Sequence, residues 1–336
     1  FKMQLHIVVP GLLWPKDSLN EITRGLDLPA LATLLGRGRT QRLPALPFEH
    51  WLGNVFGLLA GETPFGALRL LGEGLDPGAD AWLCADPVHL RFSRDTLVVG
   101  GATELGLTQA EGDQLAAALN AQLGEFGEFI APHPRRWYLR LRRPAHLATS
   151  VLSTVTGRTI EPFLPQGDDA RAWRRFINEA QVLLHNHPIN MAREAEGRPT
   201  VNSLWPWGAG FLPSGARSPA AHVHAGHALA RGLAKFADVP ASPVPARPED
   251  AVPQSLTLLE GLGEAAQSLD APAWRAGLAD LEVRWFVPLL AALQARRVSG
   301  IRLTALGDEA AIDVTMDAVD MWKFWRRPKS LPDILR

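Results

Sequence analysis

The chain has 336 residues, of which 46% are hydrophobic and 21% charged, and a formal net charge of −1. These values are ordinary for a globular protein. A net charge this close to zero excludes a long-range electrostatic attraction of the whole chain to nucleic acid or to an anionic membrane. The one cysteine, Cys84, excludes an intramolecular disulfide and is typical of a reducing compartment. No apolar run approaches the ~20 residues of a membrane span, so we expect a cytoplasmic protein without membrane association.

Strand and helix signals alternate in the first part of the chain. Residues 5–9 are an apolar run before Pro10-Gly11, which predicts a buried parallel strand followed by a loop. Residues 28–35 have a helical pattern that ends at Gly36, an expected C-cap. Residues 55–59 continue a second predicted helix. The start of the chain therefore indicates an α/β fold.

A different pattern begins at the turn signal Asp76-Pro77-Gly78. Thr108 and Glu111 have the spacing of a capping box, which predicts a helix through Leu123. Short strands are predicted on both sides of this helix, at residues 81–87, 89–92, 96–99, 126–130 and 137–141. We therefore expect residues 78–162 to form a small inserted α+β domain, with 1–77 and 163–336 forming one discontinuous α/β domain.

The α/β pattern returns after this block. The predicted elements are a helix at 168–185, a strand at 220–224 with a helix to 236, a proline-rich loop at 240–253, a strand or short helix at 256–262, one long amphipathic helix at 273–297 and a strand at 301–306. Strands that alternate with helices predict a mostly parallel sheet between two helical layers, a three-layer α/β/α sandwich.

Three segments together resemble the archaeal-type cofactor-independent phosphoglycerate mutases of the alkaline phosphatase superfamily. They are PFGAL (64–68) with the following GLDPGADAWLC (74–84), then HPIN (187–190), GRP (197–199) and WPWGAG (205–210), and finally RGLAKFA (231–237). The segments occur in the family's order, and the second is the most specific. The resemblance implies an alkaline phosphatase-like fold with an inserted domain.

The departures from the family concern its catalytic residues. The resemblance places Pro10 where the family has a metal-binding aspartate, and the serine nucleophile near residues 47–50, where Glu49 and His50 stand. The later metal cluster would fall in 263–270, which has no histidine, and the last Asp-His pair at Asp308-Glu309. Two-metal phosphoryl transfer needs carboxylate and imidazole ligands around ions ~4 Å apart. We therefore expect neither a cofactor nor catalysis, with Glu49, His50 and Asp308 as the candidate catalytic residues if there is any.

The densest imidazole cluster is His222, His224 and His227. Residues at i and i+2 of a strand face the same side, and His227 would lie in the loop just beyond. With Asp308 these histidines are the candidate ligands of a rebuilt site for zinc or manganese. The alternative is a set of hydrogen-bonded polar residues at the end of a strand.

Arginines supply the candidate binding groups. Arg193, Arg198 and Asn202 are the candidate ligands of a small anion, and the alternative is a loop braced by arginine–carbonyl bonds. Residues 135–143 and 322–329 combine arginine and lysine with aromatic residues, a pattern found in single-strand nucleic-acid binding. We interpret the first as a half-solvated strand face and do not expect a nucleic-acid partner.

The leading hypothesis is a phosphoglycerate mutase-like protein that is catalytically inactive and acts by binding a small anionic metabolite or a protein partner. The alternative is an active metal-dependent phosphoglycerate mutase or phosphatase with a rebuilt metal site. In either case the ligand crevice is expected at the carboxyl edge of the main sheet. Trp205 and Trp207 are expected to pack between the two domains.

Overall fold

The structure is a computed structural model that describes residues 4–59 and 63–335. The strands are β1 (Gln4–Pro10), β2 (Arg39–Leu43), β3 (Trp82–Val88), β4 (Leu90–Ser93), β5 (Thr96–Val99), β6 (Gly127–His133), β7 (Arg136–Leu141), β8 (Ser203–Gly210), β9 (His222–His224), β10 (Ala241–Ser242), β11 (Ser255–Leu258), β12 (Gly300–Leu306) and β13 (Ala311–Asp317). The helices are α1 (Lys16–Ile22), α2 (Pro29–Arg37), α3 (Phe48–Val55), α4 (Phe65–Gly72), α5 (Gln109–Leu123), α6 (Leu152–Val155), α7 (Ala170–His185), α8 (Pro188–Ala195), α9 (Ala228–Phe236), α10 (Gly263–Gln267), α11 (Ala271–Leu281), α12 (Val287–Gln294) and α13 (Leu331–Ile334).

The chain divides into two compact units. Residues 1–56 and 217–336 form one, here called the discontinuous unit, and residues 57–216 form the other, the central unit. Across the described residues, no helix combines the length and apolar character needed to cross a bilayer.

The discontinuous unit is built on a seven-stranded sheet with the order β10-β9-β11-β1-β12-β13-β2. Strand β1 pairs in parallel with β11 and β12, and β9 pairs in parallel with β10 and β11. Strand β13 runs antiparallel to both of its neighbours, β12 and β2. The mixed α/β fold with a large, mostly parallel central sheet is therefore confirmed.

One face of this sheet carries the main core of the unit. Leu5, Ile7 and Val9 alternate along β1 toward this first face, where they pack with residues of α2, α11 and α12. Trp274 of α11 is fully buried there, and its indole N–H donates to the carbonyl of Gly11 at 2.7 Å. This bond fixes the loop after β1 to the helical layer.

The second face is polar where β1, β12 and β13 meet. His6 Nε2 lies 2.7 Å from the Thr304 hydroxyl, which donates to Asp313, and Arg302 pairs with the same carboxylate. The ring of Trp51, from α3, packs edge-to-face on His6 with centroids 6.3 Å apart. Burial and then the charge of Arg302 lower the pKa of His6 to about 4, so that the imidazole is neutral at physiological pH.

The central unit has a four-stranded antiparallel sheet with the order β6-β7-β3-β8. Helices α5 and α7 pack on one face through apolar side chains such as Leu119 and Phe176. Helix α4 packs on the other face, where Gly66 lies against the backbone of Leu83 so closely that a Cβ would come within 2.8 Å. The capping box of Thr108 and Glu111 at the start of α5 is confirmed.

The limits of this unit differ from those expected for the insertion. We expected residues 78–162, whereas the compact unit spans 57–216. Strand β8 explains the later end, because it pairs antiparallel along β3 from Val88↔Ser203 to Trp82↔Gly210. Helix α4 explains the earlier start, because it packs on β3 and β8. Segments on both sides of the expected block therefore complete its sheet.

Three helix predictions need correction. Gly36 does not end α2, which continues to Arg37; a Cβ on Gly36 would lie 2.2 Å from the Arg327 carbonyl oxygen, so this glycine permits a close backbone contact. The second helix begins at Phe48 and ends at Val55, before the positive-φ Gly57. The long helix is interrupted by a π-helical turn at Glu282–Phe286, beyond which α12 begins next to Pro288.

Candidate functional site

The carboxyl edge of the main sheet is where an α/β protein of this topology places ligands. The three central strands end there in Pro10, Leu258 and Leu306, and each of these residues is buried. The side chains of proline and leucine have no atom that ligates a metal. Of these three strand ends, Pro10 is the one that the resemblance aligns with a metal-binding aspartate, and there it supplies a packing group.

Helix α3 and the start of α9 meet near this edge. The Phe48 ring packs edge-to-face on His227 with centroids 5.2 Å apart. Glu49 is buried, and burial lowers the pKa of the neighbouring His50. The structure thus brings the segment expected for the family's nucleophile next to His227, but that segment has no hydroxyl side chain.

The candidate carboxylates of this edge have local roles or face solvent. Asp308 is exposed in the turn after β12, and Glu309 accepts a hydrogen bond from the Lys16 amide at 3.2 Å. Asp270 is the N-cap of α11 and accepts from the amide of Ala273. The 263–270 segment therefore consists of the short helix α10 and the N-cap of α11, and the Asp308-Glu309 pair lies in the turn after β12.

His222 and His224 share a serine across two strands. The Val252 amide donates to His224 Nε2 at 3.1 Å, so the proton of this imidazole is on Nδ1. Nδ1 lies 2.9 Å from the Ser242 hydroxyl and 3.3 Å from the Pro243 carbonyl. The hydroxyl accepts from His224 and donates to His222 Nε2 at 2.8 Å. Burial and the neighbouring His222 lower the pKa of His224.

These bonds are the kind expected from the second interpretation of the histidine cluster, hydrogen-bonded polar residues at the end of a strand. Among residues 4–59 and 63–335, no three histidine, cysteine, aspartate or glutamate side chains form a group that could hold a metal. The proposed ligand set of His222, His224, His227 and Asp308 is not assembled, because the imidazoles of the first two bond to Ser242 and to backbone. The residues present do not fit a two-metal phosphoryl-transfer centre.

Arg193 and Asn202 brace the central unit. Arg193 is fully buried; its Nε donates to the Pro199 carbonyl at 2.8 Å, and its terminal nitrogens donate to Glu111 and to the Leu105 carbonyl. Asn202 exchanges two hydrogen bonds with the backbone of Leu90. Arg193 was a candidate substrate ligand, and its geometry is instead that of the alternative, a loop held by arginine–carbonyl bonds.

Arg198 has a more open position. Its side chain is 40% exposed and pairs with Glu111 and Glu196. Together with Asn202 it lines a cleft of about 530 Å³ in the central unit, which also includes His89 and His185. Of the three candidates after the insertion, Arg198 and Asn202 therefore remain beside a space that a ligand can enter.

The arginine strand is β7, and its basic face is neutralised by carboxylates. Arg136 and the Tyr138 hydroxyl both bind Glu73, the former through two bonds of 2.5 and 3.0 Å. Arg140 pairs with Glu128. Tyr138 is fully buried, so its ring is not available to stack on a base. The interpretation of this strand as half-solvated holds for its arginines and is wrong for its tyrosine.

Trp205 and Trp207 lie on β8 and are buried. The indole N–H of Trp205 donates to the Ser150 carbonyl at 2.9 Å, and that of Trp207 donates to Asp86 at 2.9 Å. Both bonds lie within the central unit, so these tryptophans are part of its own packing.

A second cleft, which the sequence did not predict, lies at the amino edge of the main sheet. Its volume is about 660 Å³, within the range of small-molecule sites. The residues that line it are Gln4, Leu5, His6, Arg39, Ser218, Pro219, Ala220, Ala221, Gln254, Ser255, Gly300, Ile301, Arg302, Thr315 and Asp317. The available signal was the alternation of polar side chains in strands expected to be buried, Gln4 and His6 in one and Arg302 and Thr304 in the other.

Polar groups converge on this amino-edge cleft. Arg39 binds Asp317 and Asp320, and Arg302 binds Asp313 through Nε and one terminal nitrogen, so each guanidinium group retains further N–H groups. Ser255 is 1% exposed, and its hydroxyl has no hydrogen-bond partner among the described atoms. A buried hydroxyl without a partner is costly, which makes it a candidate ligand contact.

The fold is of the mixed α/β class, with a large, mostly parallel sheet and a second compact unit within the chain. The structure resembles the cofactor-independent phosphoglycerate mutase of Thermoplasma acidophilum, with a TM-score of 0.51 and 18% identity over 99% of this chain and 95% of that one. It also resembles the PH0037 protein of Pyrococcus horikoshii, with a TM-score of 0.55 and 16% identity over 99% and 92% of the two chains. These likenesses support the fold.

Sequence comparison relates the chain to the cofactor-independent phosphoglycerate mutases. It is 29% identical over 199 residues to a probable 2,3-bisphosphoglycerate-independent phosphoglycerate mutase of Geobacter sulfurreducens, covering 55% of this chain and 49% of the relative. It is 37% identical over 139 residues to that enzyme of Methanosarcina barkeri, covering 39% and 34%. The resemblance predicted from three segments is confirmed.

Two further findings bound this relationship. The chain spans about half the length, or less, of the curated relatives described above. No protein-family model matches the chain.

Proposed function

We propose that this protein is a non-catalytic relative of the phosphoglycerate mutases that acts by binding a small anionic ligand. The observation that carries the proposal is at the carboxyl edge, where β1 ends in the buried Pro10 at the position that the resemblance gives to a metal-binding aspartate. A mechanism with two divalent ions requires carboxylate or imidazole groups at such positions, since they hold the ions that stabilise the transferred phosphoryl group. The side chain of proline cannot replace them.

The lack of a nucleophile supports the same proposal. The resemblance places the family's serine near residues 47–50, and the sequence has no serine between Asn20 and Arg91. Phe48 occupies the start of α3 and packs on His227, so the space beside this histidine holds an aromatic ring. Covalent phosphoryl transfer needs a nucleophile that is aimed in line with the leaving group, and in the family that the chain resembles this nucleophile is a serine hydroxyl.

The amino-edge cleft is the binding site that we assign to the anion. Arg39 and Arg302 contribute planar guanidinium groups, which match carboxylate and phosphate oxygens. The unpartnered Ser255 hydroxyl adds an uncharged donor. Small acids that carry a carboxylate or a phosphate are the ligand class with these features. This site replaces the expected carboxyl-edge crevice around Glu49, His50, His224, His227 and Asp308.

Two alternatives remain distinct from this proposal. An active mutase or phosphatase with zinc or manganese would require His222 and His224 to leave their bonds with Ser242 and the Val252 amide. A protein that acts only through a protein partner would use an outer surface and leave the amino-edge cleft empty of ligand. Ligand binding by the purified chain separates these possibilities.

We expect phosphorylated three-carbon acids to raise the melting temperature of the protein, because a ligand that binds only the folded state stabilises it. Inorganic phosphate is the simplest probe in this series. Arg302→Gln should weaken the affinity measured by calorimetry by about tenfold or more, since one charge-assisted pair is worth about 1.5–3 kcal/mol. Arg284→Gln, at an exposed arginine paired with Asp280, is the matched control and should bind like the wild type.

The result that contradicts the anion site is equally specific. If no member of the acid panel stabilises the protein, the anion proposal fails and a protein partner becomes the better explanation. If a ligand binds and its affinity is unchanged in an Arg39→Gln, Arg302→Gln double variant, the site lies elsewhere in the chain.

A further inference from the structure

Residues 319–329, here called the aromatic segment, expose three large rings close together in the chain. Trp322, Phe324 and Trp325 are 70%, 78% and 68% exposed, and Val319 is 73% exposed. Single exposed apolar residues are normal, but several adjacent ones usually mark an interaction site. The proposed anion site does not use this surface.

The backbone under these rings is held in place. The buried Asp320 carboxylate accepts hydrogen bonds from the Asp317 amide at 2.9 Å, from Arg39 at 3.2 Å and from the ammonium group of Lys323. These bonds fix the single 3₁₀ turn at Asp320–Met321–Trp322. The rings therefore project from an ordered turn.

Helix α2 holds the rest of the segment. The Arg37 side chain donates to the Met321 carbonyl at 2.6 Å, and Arg326 donates to the Arg37 carbonyl at 3.2 Å. The Lys329 amide donates to the carbonyl of Ala32 at 2.9 Å, and the backbone carbonyl of Arg327 lies against Gly36. An anchored backbone loses little conformational entropy when the exposed side chains meet a partner.

The same segment is positively charged. Lys323 lies between the aromatic residues, and Arg326, Arg327 and Lys329 follow them; these last three are exposed. The partner surface must therefore be anionic and must accept apolar rings. A second copy of the segment fails the first condition, because it brings Arg326, Arg327 and Lys329 against the same three cations; Lys323 is already paired with Asp320.

Ring geometry favours an anionic membrane over a nucleic acid as the partner. The rings of Phe324 and Trp325 are 5.4 Å apart and inclined at 80°. Successive bases of a nucleic acid stack on parallel faces, which this pair does not offer. The interface of a bilayer accepts tryptophan and phenylalanine rings in any relative orientation and, when the lipids are anionic, attracts nearby lysine and arginine.

We infer that the aromatic segment is a contact site for the surface of an anionic membrane. The rings enter the headgroup region while the cations remain at the level of the phosphates. Such a contact is peripheral and needs no spanning helix. It adds a local attraction that the net charge of −1 for the whole chain does not reveal.

The test is sedimentation of the full chain with vesicles of phosphatidylcholine alone or mixed with phosphatidylglycerol. We expect binding to the mixed vesicles that weakens as salt is added, because screening reduces the attraction of the cations. Arg326→Glu with Arg327→Glu should lower the partition coefficient by at least about 30-fold, since each cation contributes about 1 kcal/mol. Trp322→Ser with Trp325→Ser removes two of the three exposed rings and should abolish sedimentation with the mixed vesicles.

Matched controls come from other exposed positions. Arg142→Glu with Arg143→Glu changes the same charge, and Phe92→Ser removes a ring that is 78% exposed; both should sediment like the wild type. Equal melting temperatures will show that all variants are folded. Failure of the wild type to bind mixed vesicles overturns the inference, as does binding to a single-stranded oligonucleotide or to itself through these residues without vesicle binding.

Discussion

Replacing Asp86 with asparagine should lower the free energy of unfolding by about 3–5 kcal/mol. Asp86 pairs with Arg69 through two bonds, of 2.8 and 2.6 Å, and both side chains are buried in the central unit. The Arg69 guanidinium also lies 4.6 Å from the Tyr138 ring and 5.1 Å from that of Trp207. The amide of asparagine cannot balance the charge of arginine, which would then be buried without a counterion. Urea unfolding followed by tryptophan fluorescence measures the change.

An exposed pair provides the comparison. Arg140→Ala breaks a contact with Glu128 in which both side chains are about half exposed, so the loss should stay within about 1 kcal/mol. A double variant, Arg69→Met with Asp86→Leu, should be more stable than Asp86→Asn because it leaves no buried charge. An Asp86→Asn protein as stable as the wild type would show that this ion pair does not hold the sheet and α4 together.

The second large effect is a loss of stability in mild acid caused by His6. Its folded-state pKa is about 4, below the ordinary value of 6.5, because burial and Arg302 disfavour the imidazolium. The unfolded state therefore binds the proton first, and stability is complete above about pH 6.5 and declines as the pH falls toward 4. The difference in pKa corresponds to about 3 kcal/mol in full and to about 2 kcal/mol between pH 7 and 4.5.

The variant His6→Gln isolates this effect. Glutamine can keep a hydrogen bond to Thr304 and does not titrate. Between pH 7 and 4.5 the free energy of unfolding of the variant should therefore fall by about 2 kcal/mol less than that of the wild type. His146→Gln is the matched control, because the His146 side chain is 77% exposed, and it should follow the wild type. Parallel pH curves for the wild type and His6→Gln would contradict the assignment.

Features set by neighbours in the chain could be predicted from the sequence. The capping box of Thr108 and Glu111 depends on residues three apart, and the helix ends at Leu123 as predicted. The apolar runs at residues 5–9 and 301–306 lie in the strands β1 and β12. Each of these elements carries its own signal, a cap or a run that matches a single secondary structure.

Features set by distant pairing could not be predicted. Strand β8 contains Pro206 and two glycines, which argue against a strand, but it is the edge strand of its sheet, where proline is tolerated. Strand β2 is Arg-Thr-Gln-Arg-Leu and is almost fully exposed, so it lacks an apolar face; pairing with β13 alone defines it. The pairing partner of each of these strands lies far away in the chain. The residues of the strand itself therefore carry no pattern that predicts the pairing.

The same distinction applies to the candidate site. The departure at Pro10 could be seen in the sequence because the resemblance gave that position a role, and Pro10 is the last residue of β1. The roles of His222 and His224 depend on Ser242, nearly twenty residues later in a loop prediction, and on the Val252 amide. The amino-edge cleft needs five strands in register before Arg39, Ser255 and Arg302 line one space.

The central claim is that the chain keeps a phosphoglycerate mutase-like fold without its phosphoryl-transfer chemistry. The most direct measurement is turnover by the purified protein, produced without a histidine tag, with 3-phosphoglycerate and a generic phosphate ester, in the presence of manganese, zinc or cobalt. We predict no interconversion of phosphoglycerates and no hydrolysis with any of the three ions. Turnover that persists through further purification and disappears in Asp308→Ala would contradict this account.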